Sequence, residues 1–180
     1  MQAAYPHAKE FIKTFADYYH LGLNSTHIGV ITFSEKAYLH VPFNAHQVHA
    51  RFNEDIDLIP FLGYRTRLDL AFKMADERLY EAEYGAREEA EKLVLLITDG
   101  RQNDGDISKD KLEQAAKASK GLLAKNVKIM AIGLYGTSDP DEKMLTHLTG
   151  DAERVHVVTD YQQLYSTSFL EALTDDNCYS

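Results

Sequence analysis

"KLVLLITDGRQNDGD", residues 92–106, decides the fold. From Leu93 to Ile97 every side chain is apolar, so both faces of a strand here are apolar and both need cover, the pattern of an interior strand in a parallel sheet. The run ends abruptly in Asp-Gly, which makes Asp99 the first polar side chain past the carboxyl end of that strand. Asp104, Gly105 and Asp106 do not fit the EF-hand spacing, which needs oxygen donors at alternate positions and a distal glutamate. They read as a solvated turn leading to a helix capped near Ser108.

Outward from this stretch, strands and helices alternate. "HIGVITF" (27–33), "VKIMAIGLY" (127–135) and "RVHVV" (154–158) read as further strands, the first two apolar on both faces. "AYLHVPF" (37–43) alternates instead, and Pro42 excludes a fully paired central position, so it reads as an edge strand antiparallel to 27–33 across the short "SEK" turn. Tyr5, Ala8, Ile12, Phe15 and Tyr19 form one helical stripe. Residues 44–57 read as a shorter helix, and 66–80 as a helix with Leu68, Ala71, Phe72, Ala75 and Leu79 inward and Thr66 placed to cap it. Helices also follow over 108–126, over 139–150 with Pro140 near the first turn, and over 160–173. The spacing predicts an α/β fold: a doubly wound, mainly parallel sheet with one antiparallel edge strand and helices on both faces. It occupies residues 1–174 as one domain, with 175–180 as a tail.

Composition narrows the function. A net charge of −9 with no concentrated basic patch argues against nucleic acid or an anionic membrane as partner. No apolar run is long enough to insert in a membrane, and "QAAYPHAKEF" after Met1 lacks the pattern of a secretory signal. Two features nevertheless point outside the cell. "NST" at Asn24–Thr26 is an N-glycosylation acceptor, and the sole cysteine, Cys178, is either an exposed thiol or half of a disulfide whose partner lies outside the sequence.

In an open α/β sheet, ligands gather at the carboxyl ends of the strands. Asp99 and the loop before the helix that starts near Thr66 open on that rim, and a carboxylate with a hydroxyl suits Mg²⁺ or another hard divalent cation better than zinc. Two oxygens make a thin site. His40, His46 and His49 lack a convincing third ligand and read as a solvated face. No G-x-G-x-x-G, Walker loop or nucleophile elbow supports a dinucleotide, nucleotide or serine-hydrolase reading.

"HIGVITFS", "GYRTRLDLAF", "KLVLLITDGRQND", "VKIMAIGL" and "VHVVTDYQQL", in this order, resemble the von Willebrand factor type A domain, in particular those of matrilins and collagen VI-like chains. The resemblance implies a Rossmann-like sheet with one antiparallel edge strand, and a metal-ion-dependent adhesion site. That site is built from an Asp-x-Ser-x-Ser motif after the first strand, a later threonine matched by Thr66, and an aspartate matched by Asp99. The first strand and its motif have no counterpart in the sequence, so the expected site is incomplete. Its absence would leave two apolar strand edges between 27–33 and 92–98. The expectation is a piece of a longer protein; the alternative is a degenerate domain, or one completed by another chain's strand.

The function expected is a non-enzymatic, secreted interaction module that binds an extracellular matrix or cell-surface protein, collagen-like partners included, at the carboxyl rim. Mg²⁺ would serve the complete domain but bind weakly here. The rivals are a metal-dependent hydrolase or phosphatase-like enzyme using Asp99, and a structural domain that binds no metal.

Overall fold

The computed structural model describes residues 4–45, 47–63, 65–98, 109–135 and 140–178, with backbone alone for 109–111 and 175–178. Helix α1 (Tyr5–Ala16) leads to strands β1 (Val30–Phe33) and β2 (Ala37–Val41), then to α2 (His49–Leu58) and α3 (Leu68–Met74). Strand β3 (Lys92–Thr98), α4 (Lys109–Ala124), β4 (Val127–Leu134), α5 (Glu142–Thr149), β5 (Val155–Val158) and α6 (Thr167–Cys178) complete the order. The doubly wound α/β architecture read from the sequence is present.

The strands form two sheets. β3, β4 and β5 run parallel in the order β3-β4-β5, and among the described residues β1 pairs only with β2, antiparallel. The "SEK" turn closes through the Ser34 N–H donating to the Lys36 carbonyl at 2.9 Å. Val30 faces Val41 while Ile31 faces Leu39, so His40 is the extra residue of a bulge that twists this edge ribbon.

Alternation along the strands sorts the core. Val127, Ile129 and Ala131 of β4, with Leu96 of β3, pack under Leu68, Phe72, Leu122 and Leu145 of α3, α4 and α5. Met130, Ile132 and Leu134 point the other way, onto Phe11 of α1 and Leu170 and Leu173 of α6. A third cluster joins Val30 and Val41 to Ala16 of α1 and to Phe52 and Ile56 of α2. Helix α1 therefore touches both sheets on one face. On the other, α3 does the same, through Ile31 and Phe33 of β1 and Leu96 of β3.

Between β1 and β3 lies a slot of about 1230 Å³. It is lined by every residue from Gly29 to Phe33 and from Lys92 to Ile97. A cavity against the face of a strand touches alternate residues, whereas one touched by consecutive residues runs along the edge. The slot thus separates the two sheets edge from edge, with the inner stripe of α1 and the Ala71, Phe72, Ala75 and Leu79 side chains as its lids.

Several local expectations give way. The helix read over 66–80 begins at Leu68 and passes into a π-turn over Ala75–Leu79, closed by the Tyr80 N–H on the Ala75 carbonyl at 3.1 Å. The wider turn lets the buried Tyr80 hydroxyl donate to the Leu93 carbonyl beside the slot, and burial raises its pKa well above the ordinary tyrosine value. Pro140 precedes α5 rather than entering it, because Asp141 takes the cap, its carboxylate accepting from the Met144 N–H at 3.0 Å. The helix expected over 160–173 is two. Asp160 caps a 3₁₀ segment, Tyr161–Tyr165, and Ser166 restarts the chain as α6 by accepting from the Phe169 N–H. Asp104, Gly105, Asp106 and Ser108 lie outside the described residues.

Candidate functional site

The carboxyl rim is assembled from strand ends and the helix starts that follow them. The chain just before β3 is tied to the chain just before β1, the Arg87 guanidinium donating to the Ser25 carbonyl. At the opposite end, the Arg67 N–H donates to the Ser34 carbonyl at 3.1 Å, which ties the loop carrying Thr66 to the exit of β1. The same arginine grips Asp69 with two hydrogen bonds, Nε to Oδ1 at 2.7 Å and Nη2 to Oδ2 at 2.6 Å. Asp69 is 3 % exposed, so its carboxylate depends on this fork. It also lies in the first turn of α3, where free N–H groups favour negative charge.

Thr66 is half-buried and lines the slot at this end. It is not the helix cap expected from the sequence. Arg67 holds the cap position of α3, and no side chain caps it, because Arg67 adopts φ −94° and ψ 74° and swings Thr66 out of reach of the first turn. Among the described residues the Thr66 hydroxyl has no hydrogen-bond partner. Thr98, fully buried, closes β3; Asp99 lies outside the described residues, so the convergence of Thr66 with Asp99 stays an expectation.

An aromatic belt occupies the rest of the rim. The Tyr5 hydroxyl reaches the Ile59 and Pro60 carbonyls, both at 2.9 Å, and its ring meets Phe61 edge-on at 5.2 Å. His7 stacks on Tyr161 at 5.0 Å, and Tyr161 donates to the Tyr135 carbonyl at 3.0 Å. The Tyr165 hydroxyl donates to the His7 carbonyl at 3.1 Å and lies 2.8 Å from His7 Nδ1, an arrangement satisfied when that nitrogen carries a proton. Burial raises the pKa of Tyr5, and burial followed by the charge of Glu10 raises that of Tyr165, so both hydroxyls keep their donor protons at neutral pH. Phe61 and Tyr135 remain 38 % and 36 % exposed. The tyrosine count alone does not reveal this belt. Its signal is position: Tyr5, His7 and Tyr161 sit at helix starts and Tyr165 just before α6, and in this architecture helix starts meet at the carboxyl rim.

The histidines do not gather. His40 Nε2 is 2.7 Å from Thr32 Oγ1, and burial lowers its pKa; His49 faces Asp17 at 3.3 Å; His46 lies outside the described residues. Among the described residues no three His, Cys, Asp or Glu side chains could hold a metal ion together. Asn24 is exposed at a tight turn closed by the Ser25 N–H on the Gly22 carbonyl. Cys178 ends α6, with its side chain outside the described set.

Comparison with known proteins places this architecture. The chain is 23% identical over 174 residues to the collagen alpha-1(XII) chain of Notophthalmus viridescens, covering 96% of this chain and 17% of that one. It is 28% identical over 169 residues to matrilin-1 of Gallus gallus, covering 92% and 31%. It spans less than a third of either relative. Among solved structures, proximal thread matrix protein 1 from the mussel byssus superposes with a TM-score of 0.84 at 22% identity, covering 99% of this chain and 44% of that one. A second structure of that protein, with a zinc-occupied MIDAS motif, superposes at 0.83. The model of the von Willebrand factor type A domain matches residues 1–170. The chain belongs to the von Willebrand factor type A domain family.

Proposed function

We propose that this domain is a non-enzymatic interaction module of a secreted matrix or adhesion protein, and that it binds its partner at the carboxyl rim. The observation that carries the reading is the match over nearly the whole chain to domains of collagen and matrilin chains. The rim supports it with half-exposed aromatic rings on a hydrogen-bonded base, which bury large area at small entropic cost.

Within this reading Thr66 and Asp99 contribute a hydroxyl and a carboxylate to a divalent cation, Mg²⁺ first, and an acidic side chain of the partner completes the shell. The described residues fit such an ion only in part. Thr66 presents one free oxygen at the rim, whereas a hard cation of this kind takes about six. The reading includes weak metal binding by this chain alone. Asn24 carries an N-glycan and Cys178 pairs with a cysteine outside the sequence in the secreted protein.

Immobilised fibrillar collagen and matrilin-type matrix, probed with the soluble domain in Mg²⁺ and in EDTA, test the proposal. Saturable binding that is lost when Phe61 and Tyr161 are both changed to Ala supports the rim reading. Binding indifferent to those changes, or phosphate-ester turnover abolished by Asp99→Ala, overturns it in favour of another surface or an enzyme.

A further inference from the structure

We propose that Tyr84 is a modification site, its phenolic oxygen accepting a sulfo group to give tyrosine O-sulfate. The proposal rests on the reading of this domain as a secreted module, since protein tyrosines are sulfated along the secretory route. The tyrosines of this chain differ in what their hydroxyls do. Those of Tyr5, Tyr80, Tyr161 and Tyr165 donate to backbone carbonyls. The Tyr84 hydroxyl has no hydrogen-bond partner among the described residues, yet its oxygen is not buried, so it reaches solvent although the residue as a whole is partly buried. The backbone beneath it is fixed. Tyr84 ends the 3₁₀ turn Ala82–Tyr84, its carbonyl accepts from the Asn44 N–H at 3.0 Å, and Gly85 follows at φ +90°, where an added Cβ would lie 2.5 Å from the Asn44 nitrogen. This turn presents the phenol ahead of β3, outside the slot and away from the carboxyl rim.

Charge singles this phenol out from the other exposed ones. Within five residues of Tyr84 lie Glu81, Glu83, Glu88 and Glu89 against Arg87 alone, and all four glutamates are exposed. Glu81 meets Lys125 Nζ at 3.2 Å, whereas Glu83, Glu88 and Glu89 have no ion-pair partner among the described residues. Tyr18 and Tyr38 are well exposed, but near them Asp17 is offset by Lys13, and Glu35 by Lys36. The sulfo donor is a polyanion, an adenosine phosphate–sulfate anhydride, and the cationic groups with which a transferring enzyme holds it favour an acidic acceptor over a neutral one. In the transfer the phenolic oxygen attacks sulfur, the bond from sulfur to the bridging anhydride oxygen breaks, and the bonding pair leaves on the adenosine phosphate. The phenol proton passes to a base of the enzyme, and nothing is oxidised or reduced. The ester adds a fixed negative charge and further acceptor oxygens to this acidic corner, which suits arginine-bearing segments of a partner.

The test incubates the full folded chain with a tyrosylprotein sulfotransferase and radiolabelled donor, compares initial rates and locates the label by tandem mass spectrometry. Because the enzyme is supplied, the result does not depend on where the chain travels. Failure here strikes the Tyr84 site, whereas failure of the matrix-binding experiment strikes the rim reading and leaves the acceptor standing. Label at Tyr84 is expected, unchanged in Tyr38→Phe and lost in Tyr84→Phe, which removes only a hydroxyl without a partner among the described residues and so keeps the fold. Glu83→Gln, Glu88→Gln and Glu89→Gln together should slow labelling by about tenfold or more. No label above that of Tyr84→Phe, label chiefly on another tyrosine, an undiminished rate in the triple variant, or labelling that requires prior unfolding overturns the proposal.

Discussion

Strands β3 and β4 are neighbours with near-identical apolarity, yet they live differently. In β4, Ile129, Ala131 and Ile132 are completely buried and both edges are paired, to β3 and β5. In β3 only Leu96 and Thr98 fall in the buried class, and the edge away from β4 faces the slot. Apolarity on both faces declares that a strand is meant for the interior; a second paired edge is what makes it so. β1 repeats the lesson, since Val30 is buried while Ile31, Thr32 and Phe33 remain partly exposed.

The largest test of this contrast is truncation. Ile132→Ala, which removes atoms from a site packed on all sides, is expected to cost about 3–4 kcal/mol in urea unfolding, and Leu95→Ala, beside the slot, about 1 kcal/mol. Equal losses would mean that β3 is packed as fully as β4. Next is the clamp that holds α3 over the slot. Asp69→Ala removes the buried carboxylate that the Arg67 fork grips at the start of α3 and should cost about 2–3 kcal/mol, with amides near the start of α3 and the end of β1 losing exchange protection before those of β4.

Smaller effects discriminate more finely. Thr66→Ala should change stability by less than about 0.5 kcal/mol, because among the described residues its hydroxyl supports neither the helix nor a neighbour; a loss of about 1 kcal/mol would restore it as a cap. The pH effect at His40, on the edge ribbon, is smaller still. Burial holds its folded pKa below 6.5, so the unfolded chain binds the proton more readily. Its share of stability is therefore intact above about pH 6.5 and is lost as pH falls from there towards the folded value. The acid-side drop in melting temperature should be shallower in His40→Gln than in the parent.

Much of the fold was legible in the sequence because period and turn chemistry agree there. The seven-residue strand at 92–98 and the edge strand after "SEK" emerge where read. The misreadings share one cause, local hydrogen bonding that periodicity does not register. Tyr80 closing onto Ala75 widens a helix, Ser166 breaks one in two, and the backbone angle of Arg67 takes the cap away from Thr66. Thr66 was singled out by its position before a helix and by the family resemblance, and its metal role stays a proposal, whereas Asp69 and the aromatic belt drew no attention in the sequence. Their importance arises from partners distant in sequence, such as His7 and Tyr165, which no short motif links.

The central claim, that β1 and β3 stand a strand's width apart, is tested most directly by cross-linking. In a Cys178→Ser background, cysteines are placed at Ile31 with Val94, and separately at Ile31 with Leu96, pairs on the same face of the two sheets. Adjacent strands lie about 4.8 Å apart, within disulfide reach, whereas strands separated by one strand position lie roughly 10 Å apart, beyond it. Mild oxidation should leave both pairs reduced, while a bis-maleimide with a span of roughly 10 Å should bridge at least one. Rapid disulfide formation in either pair would show that the two edges meet directly and would contradict the account.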